Sequence, residues 1–129
     1  MSGIRVFQLA DGWEILVGKT AQDNDRLSIR IAKPFDFWFH VSGMQGSHVV
    51  ARHPDRPSQI GREAKLIAAG LAAYFSKAKN AGKVAVHMAT GADVSKPRGY
   101  PPGKVILKKF TVVQTRPLAP EDIKGAPDG

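Results

Sequence analysis

The alternation of apolar and polar residues is clearest between Phe35 and Val41, where it predicts a β-strand. The odd-numbered residues of this segment are apolar, and the residues between them are Asp36, Trp38 and His40. Successive side chains of a strand point to opposite faces, so the apolar set should face the core. Asp36, Trp38 and His40 should share the other face.

Shorter patterns predict the other strands. Apolar runs at residues 7–9 and 13–17 flank Asp11-Gly12, and Asp-Gly between such runs predicts a short N-terminal hairpin. We expect the remaining strands at residues 48–52, around Val84, Val86 and Met88, and at residues 105–107 and 110–113, the last two closing the sheet.

One long helix is predicted at residues 59–79. Apolar residues recur there at helical spacing, namely Ile60, Ala64, Ile67, Leu71, Phe75 and Ala78. Lys77 and Lys79 should lie in its last turn, where the helix dipole favours cations. Residues 20–32 show a weaker pattern, which indicates a short helix or an irregular segment.

Strands around one long helix predict an α+β fold. We expect a mainly antiparallel sheet packed against that helix, with the short N-terminal hairpin at one end. A chain of 129 residues fits one domain, which we assign to residues 1–116. Residues 117–129 hold three prolines and two glycines, and we expect a flexible tail there.

Positive charge is concentrated in the second half of the chain. The formal net charge is +8, and residues 64–120 carry ten basic residues against one acidic residue, Asp93. Residues 1–63 carry eight basic and seven acidic residues. Such clustering favours a polyanionic partner, which can be RNA, DNA or an acidic membrane surface. The alternative is charge that only keeps the protein in solution.

The polar face of the strand at residues 35–41 has three interpretations. Asp36 and His40 as a catalytic pair is disfavoured, because four residues of strand span about 13 Å. Trp38 could stack on a base, with His40 as a hydrogen-bonding neighbour. In the structural interpretation, which the pattern alone favours, Trp38 caps the sheet under the helix and Asp36 holds a loop amide.

Metal and thiol chemistry have little support in the sequence. His40, His48 and His87 lack the close spacing of a metal motif, and the chain has no cysteine. We therefore expect no metal and no cofactor.

Basic residues from several segments could form one binding surface. We expect phosphate contacts from the helix end, the Gly- and Pro-rich loop at residues 91–103 and the strand beginnings after it, specifically from Lys77, Lys79, Lys96, Arg98, Lys104 and Lys108. Tyr100, on the same loop, could stack on a base. Trp38, His40 and His48 complete the set of expected RNA contacts.

Six motifs occur in order along the chain: GWEILVGK from Gly12, QDND from Gln22, DFWFH from Asp36, GSHVV from Gly46, AYFSKAK from Ala73 and VSKPRGYPPGKV from Val94. Together they resemble the NFACT-R domain, the RNA-binding part of NFACT proteins. The resemblance extends over about residues 12–116. It marks as family positions, besides those above, Asn24, Asp36, Gly46, Ser47, Pro97 and Gly99.

The resemblance implies an RNA-binding module without catalysis of its own. Larger NFACT proteins act in ribosome quality control, on the large ribosomal subunit and tRNA. We therefore expect a stand-alone bacterial version of the domain that binds tRNA or ribosomal RNA in the cytoplasm, away from membranes, with the ribosome as a further partner. Two alternatives are an RNA-processing or RNA-modifying enzyme using Asp36, His40 and His48, and an adaptor for a ribosome-associated protein.

Overall fold

The computed structural model of the chain describes residues 2–123, and it begins with the predicted hairpin. Strand β1, Ile4–Gln8, pairs antiparallel with strand β2, Glu14–Gly18, so that Val6 lies opposite Leu16. The hairpin prediction is confirmed, and both strands join a larger sheet.

A short helical segment follows the hairpin. Helix α1, Ala21–Asp25, begins with a capping box, in which Thr20 Oγ1 accepts a hydrogen bond from the Asp23 amide and the Asp23 carboxylate accepts one from the Thr20 amide. The chain continues as a stretch of π-helix, Arg26–Ile31. Leu27 of this stretch is fully buried against the sheet, which stabilises the fold by about 2 kcal/mol. The short helix expected within residues 20–32 is thus present.

The predicted aromatic strand forms the centre of the sheet. Strand β3, Phe37–Val41, pairs antiparallel with strand β4, Val49–Arg52. The predicted faces are confirmed for Phe37, Phe39 and Val41, which are buried in the larger of two hydrophobic clusters. Phe35 was also expected to face the core, but it precedes the strand and is 37% exposed. Trp38 belongs to the other cluster, on the opposite face.

The main helix is shorter than predicted. Helix α2, Arg62–Tyr74, has 13 residues and packs its alanine-rich face on β3 and β4. It ends at Tyr74 because the next residues pair with the turn after β3: Ser47 N donates to Phe75 O (2.8 Å), and Lys77 N donates to Gln45 O (3.1 Å). The prediction of one long helix reaching Lys79 is therefore wrong, and Lys77 and Lys79 lie beyond the helix.

The last part of the chain contains four strands, of which two leave the main sheet. Strand β5, Val84–Thr90, is followed by a 3-10 turn, Gly91–Asp93, and by strand β6, Val94–Ser95. Strand β7, Ile106–Leu107, pairs with β6 in a separate two-stranded ribbon. Residues 105–107 therefore do not close the main sheet as predicted. Strand β8, Thr111–Thr115, does so by pairing with β5.

The main sheet has six strands in the order β1-β2-β4-β3-β5-β8, and all its pairs are antiparallel. Helix α2 covers one face. The π-helical stretch and the 94–107 region cover part of the other face, where Leu27, Val94 and Leu107 pack around Trp38. The α+β class and the antiparallel sheet are thus confirmed, with apolar packing on both faces.

The segment after β8 packs against the body of the protein. Leu118 N donates to Gly70 O (3.0 Å), and Ile123 is buried in the cluster under α2. Within residues 117–123 of the predicted tail, Leu118 and Ile123 therefore have packing partners on α2 and in the core. The rest of that predicted tail, residues 124–129, lies outside the described residues.

Candidate nucleic-acid interface

On the side of the main sheet opposite α2, the ribbon leaves an area uncovered. A row of three side chains lies there. His40 of β3 lies opposite His87 of β5, which lies opposite Val112 of β8. His40 and His87 are partly exposed, and Val112 is 52% exposed. Strand pairing therefore brings two of the chain's histidines together on an accessible surface.

This row borders an open groove of about 1200 Å³. Its walls come from four segments of the chain, around residues 19–24, 44–48, 74–77 and 101–110. The lining includes three lysines and three histidines but no aspartate or glutamate; these six residues are Lys19, Lys77, Lys104, His40, His48 and His87. The groove therefore presents only cationic or neutral groups to a ligand.

A buried chain of hydrogen bonds forms the floor of the groove. Trp38 Nε1 donates to Ser28 Oγ (2.7 Å), which lies 2.7 Å from His48 Nδ1. His48 Nε2 lies 3.0 Å from the carbonyl oxygen of Gly103, which can only accept, so Nε2 carries the proton. Nδ1 then accepts from the Ser28 hydroxyl. Each of these polar groups has a partner, and the His48 ring is fixed as one neutral tautomer.

Burial decides what Trp38 and His48 can do. Trp38 is 2% exposed and His48 is 1% exposed. Neither ring has a free face for a base, which contradicts the predicted stacking on Trp38. Both side chains instead hold the groove floor in place. The structural interpretation of Trp38 is right about its burial but wrong about its position, because the ring packs under the π-helical stretch and the ribbon, on the face opposite α2.

His48 and His40 are neutral at pH 7. Burial, followed by the nearby His40, lowers the pKa of His48 to about 4 against the opposing hydrogen bond to Gly103. Burial and the nearby His87 also lower the pKa of His40. The rings of His40 and His48 lie 5.3 Å apart. His40 therefore offers a ligand hydrogen bonds, whereas the positive charge comes from the lysines.

The 96–104 loop is fastened to α1 by one acidic residue. Asp25 Oδ2 lies 3.2 Å from Lys96 Nζ, and Asp25 Oδ1 accepts a hydrogen bond from Gly103 N (2.9 Å). Lys96 Nζ also donates to the carbonyl oxygens of Pro101 and, at 2.8 Å, Lys104. Lys96 thus points into its own loop and shapes it, so the geometry favours a structural role over the predicted phosphate contact.

The same loop presents Arg98 at its tip. Tyr100 N donates to Pro97 O (3.2 Å), and Gly99 has a φ of 86° at the third position of this turn, where glycine is favoured. Arg98 is exposed, and no hydrogen bond or ion pair joins it to another residue of the 2–123 range. Lys104 Nζ lies 5.2 Å from the centre of the Tyr100 ring, which places a cation and an aromatic ring side by side.

Two of the predicted cations line the groove and others lie outside its lining. Lys77 and Lys104 are lining residues. Lys79 and Lys108 are exposed but are not part of the lining, and Lys79 Nζ lies 4.5 Å from the centre of the Tyr74 ring. The predicted convergence of basic residues is therefore seen for part of the set.

The family positions nearest the groove support its walls. Asn24 Oδ1 accepts from His48 N (3.0 Å). Gly46 pairs with Ser76, and a Cβ added at Gly46 would lie 2.6 Å from Ser76 Cβ, so this close approach requires glycine. Ser47 N donates to Phe75 O, as described above. These contacts join the turn after β3 to the end of α2.

Asp36 lies apart from this group. Its carboxylate accepts a hydrogen bond from Lys33 N (2.8 Å), and burial raises its pKa. Among residues 2–123, no hydrogen bond or ion pair joins Asp36 to His40 or His48. The loop-amide interpretation of Asp36 is confirmed, whereas the carboxylate–histidine cluster of the enzyme alternative does not form.

Two residues that line the groove, Lys19 and Phe110, were not among the binding residues predicted from the sequence. Lys19 was noted only within a family motif. Phe110 was assigned to a strand, but its ring is 48% exposed and stacks on His87, with centroids 4.1 Å apart and planes 30° apart. The only signal in the sequence is that Phe110 directly follows Lys108-Lys109.

The described residues offer neither a metal cluster nor a membrane-spanning helix. Within residues 2–123, no group of three or more histidine, aspartate or glutamate side chains could hold a metal ion. In the same range, every helix is too short or too polar to cross a membrane.

Comparison with known proteins identifies relatives over most of the chain. The chain matches the family described as NFACT protein RNA binding domain over residues 4–109. It is 37% identical over 121 residues to the Rqc2 homolog RqcH of Bacillus subtilis (strain 168), covering 94% of this chain and 20% of that protein. Against the Rqc2 homolog RqcH of Streptococcus suis (strain 05ZYH33), it is 41% identical over 103 residues, covering 80% of this chain and 18% of that protein.

A solved structure is similar over nearly the whole chain. It is the C-terminal of the fibronectin/fibrinogen-binding protein from Streptococcus suis, with a TM-score of 0.85 and 36% identity, covering 96% of this chain and 49% of that one. The chain spans about a fifth of the length of the curated relatives it matches. From the family match and these identities, the chain belongs to the NFACT protein RNA binding domain family.

Proposed function

We propose that this chain binds structured RNA through the groove, with tRNA or ribosomal RNA as the ligand. The observation that carries the proposal is the composition of the lining, which has three lysines and three histidines but no carboxylate. A phosphate backbone needs positive points without competing negative charge, and it needs no sequence code. The family's description as an RNA binding domain supports the same ligand class.

The exposed cations divide into two groups under this proposal. Lys19, Lys77 and Lys104 neutralise phosphates within the groove. Lys79, Arg98 and Lys108 are exposed outside the lining and extend the contact to neighbouring phosphates. Tyr100 is half-buried beside Lys104, where it can meet a sugar or a base.

The proposed role of His40 is to bind the ligand and that of His48 is to support the groove floor, in both cases without catalysis. Both ring nitrogens of His48 are occupied by Ser28 and Gly103, so this ring has no free nitrogen for proton transfer to a substrate. His40 is partly exposed and neutral at pH 7, which suits a hydrogen bond to a base or a 2′-hydroxyl.

The relatives suggest where the RNA is met. They carry the name Rqc2 homolog RqcH, and this chain is similar to about a fifth of each. We extend to this chain a role in translation or ribosome quality control, in the cytoplasm and with the ribosome as a partner.

Salt-dependent titration tests the proposal. Affinity for tRNA and for a ribosomal RNA fragment should fall linearly on a log–log plot as salt rises, with a slope near −0.7 to −0.9 per phosphate neutralised. The double variant Lys19→Ala/Lys77→Ala should reduce the magnitude of that slope by about 1.4–1.8.

A charge-matched variant provides the control. Arg62 and Lys65 lie near the start of α2, whereas Tyr74, at its end, lines the groove. Twelve residues of helix separate Arg62 from Tyr74 by about 18 Å. Arg62→Ala/Lys65→Ala removes the same charge and should leave the slope nearly unchanged. Equal effects of the two double variants, or no RNA binding at 50 mM salt, would contradict the proposal.

A further inference from the structure

The stacked pair of Phe110 and His87 stands out among the groove residues. Phe110 is 48% exposed although it is a large apolar residue, and it lies just before β8, next to Lys108-Lys109. One side of its ring is supported by His87, 4.1 Å away between centroids. Because much of the ring remains exposed, core packing alone does not account for its position.

The surroundings of this ring indicate what could cover it. Phe110 and His87 line the same groove as Lys77 and Lys104, and that lining contains no carboxylate. An apolar protein segment would gain nothing from these lysines. A nucleotide carries both a flat ring and a phosphate, so it matches both features of the groove at once.

We propose that the groove receives an unpaired nucleotide of the RNA, whose base stacks on the exposed part of Phe110 while its phosphates lie on the groove lysines. This inference rests on the proposed RNA binding and narrows it to a loop, bulge or single strand. A base inside a duplex is already stacked on both sides and cannot reach the ring, whereas an unpaired base can be splayed out onto an aromatic side chain.

The ring is a platform of fixed position. His87 is held in register between His40 and Val112 by strand pairing on both sides, and it backs the Phe110 ring. A preformed platform loses little side-chain freedom when a base arrives, which favours binding. Trp38 cannot replace it because that ring is buried.

The test compares a single-stranded RNA octamer containing one 2-aminopurine with the same octamer in a perfect duplex, using the full chain. Stacking quenches 2-aminopurine fluorescence, and the wild type should bind the single strand more tightly and quench it. Phe110→Ala should weaken single-strand binding about 5- to 150-fold, with an unchanged salt slope, because an apolar contact releases no counterions. Phe110→Trp should restore both affinity and quenching.

Ile106→Ala provides the matched control. Ile106 is 42% exposed on the neighbouring strand β7 but does not line the groove, so its loss should leave binding and quenching unchanged. If Phe110→Ala binds the single strand as the wild type does, the inference is overturned and the exposed ring serves another partner. That result leaves RNA binding intact, whereas failure of the wild type to bind tRNA and the ribosomal RNA fragment removes the proposed function itself.

Discussion

At the residue scale, the structure separates basic side chains that look equivalent in the sequence. Lys96 and Arg98 are two positions apart on one loop, but Lys96 is paired with Asp25 while Arg98 is exposed at the turn. Asp25 lies 71 positions earlier in the chain, so local pattern gives no indication of this pairing. The sequence therefore shows which residues are cationic, but only the structure shows whether a cation is paired within the protein or exposed to a ligand.

Substitutions at these two positions should have different consequences. Lys96→Ala removes an ion pair and two hydrogen bonds to carbonyl groups, so we expect the free energy of unfolding to fall by about 1–3 kcal/mol. The Gly103 amide, which donates to Asp25, should exchange its hydrogen faster in this variant. Urea unfolding and amide exchange measure the two effects.

Arg98→Ala is the matched comparison on the same loop. It should leave the unfolding free energy within about 0.5 kcal/mol of wild type, because the side chain is exposed, and it should weaken RNA binding at low salt. Equal loss of stability in both variants would show that Lys96 does not anchor the loop.

A second residue-scale consequence concerns acid pH. The folded chain keeps His48 neutral down to about pH 4, whereas an ordinary histidine of the unfolded chain takes up a proton near pH 6.5. The stability that this group contributes is complete above pH 6.5 and is lost as the pH falls from 6.5 towards 4. The unfolding free energy should fall by about 3 kcal/mol over that window, and His40 acts in the same direction.

Urea unfolding at pH 7 and pH 4.5 measures this loss, with His48→Gln as the comparison. The variant should be less stable at pH 7, because the Ser28 hydroxyl loses its acceptor. Its stability should nevertheless change less between the two pH values than that of the wild type. The same pH dependence in both proteins would show that other groups cause the loss.

At the element scale, local patterns predicted the strands better than the helix. Period-two alternation predicted strand β3 and which of its residues face the core, and the Asp-Gly pair predicted the first hairpin. The pattern of α2 continued to Ala78, but the helix stops at Tyr74 because the pairing of Gly46 with Ser76 takes over the following residues. Residues 105–107 were assigned to the wrong sheet, since nothing local distinguishes a ribbon strand from a main-sheet strand.

The segment after β8 determines whether Gly70→Ala stabilises or destabilises the chain. In an isolated helix, Gly→Ala stabilises by up to about 1 kcal/mol. At Gly70, however, a Cβ would lie 2.7 Å from Leu118 Cβ and 3.3 Å from the Arg116 carbonyl oxygen. Gly70→Ala should therefore destabilise the chain by about 1–3 kcal/mol, measured by urea unfolding.

Removing the obstructing side chain tests the cause. The double variant Gly70→Ala/Leu118→Gly should lose less stability than the sum of the two single variants, because Leu118→Gly removes the Cβ that the alanine would meet. Additive losses, or a gain in stability from Gly70→Ala alone, would contradict the docking of residues 117–123 on α2.

At the scale of the whole molecule, the sequence predicted the class of fold and the sign of its charge. It did not predict the sheet order, in which β2 pairs with β4 and β3 lies between β4 and β5. Such long-range pairing decides that His40 meets His87 and that Lys19 joins Lys77 in one groove. The family positions could be identified from motifs, and the pattern favoured a structural role for Trp38. The burial of His48 could not be recognised without the third layer formed by the π-helical stretch and the ribbon.

The two faces of the sheet have different tasks. Helix α2 and the 117–123 segment cover one face of the main sheet, and the larger core lies between them and that face. On the other face, the smaller core around Trp38 stops short of His87 and Val112, and the groove begins there. The protein therefore combines one fully packed face with one partly open face, which is the face proposed to bind RNA.

The groove is assembled from pieces of chain that are far apart, since Lys19 and Phe110 enclose the same space from opposite ends of the sequence. A polyanion can touch all its walls together only after β-strand pairing is complete, and an unfolded chain offers the same lysines without the enclosure. Occupancy and folding are consequently linked: whatever fills the groove shifts the equilibrium toward the folded chain, by an amount that grows with the logarithm of ligand concentration.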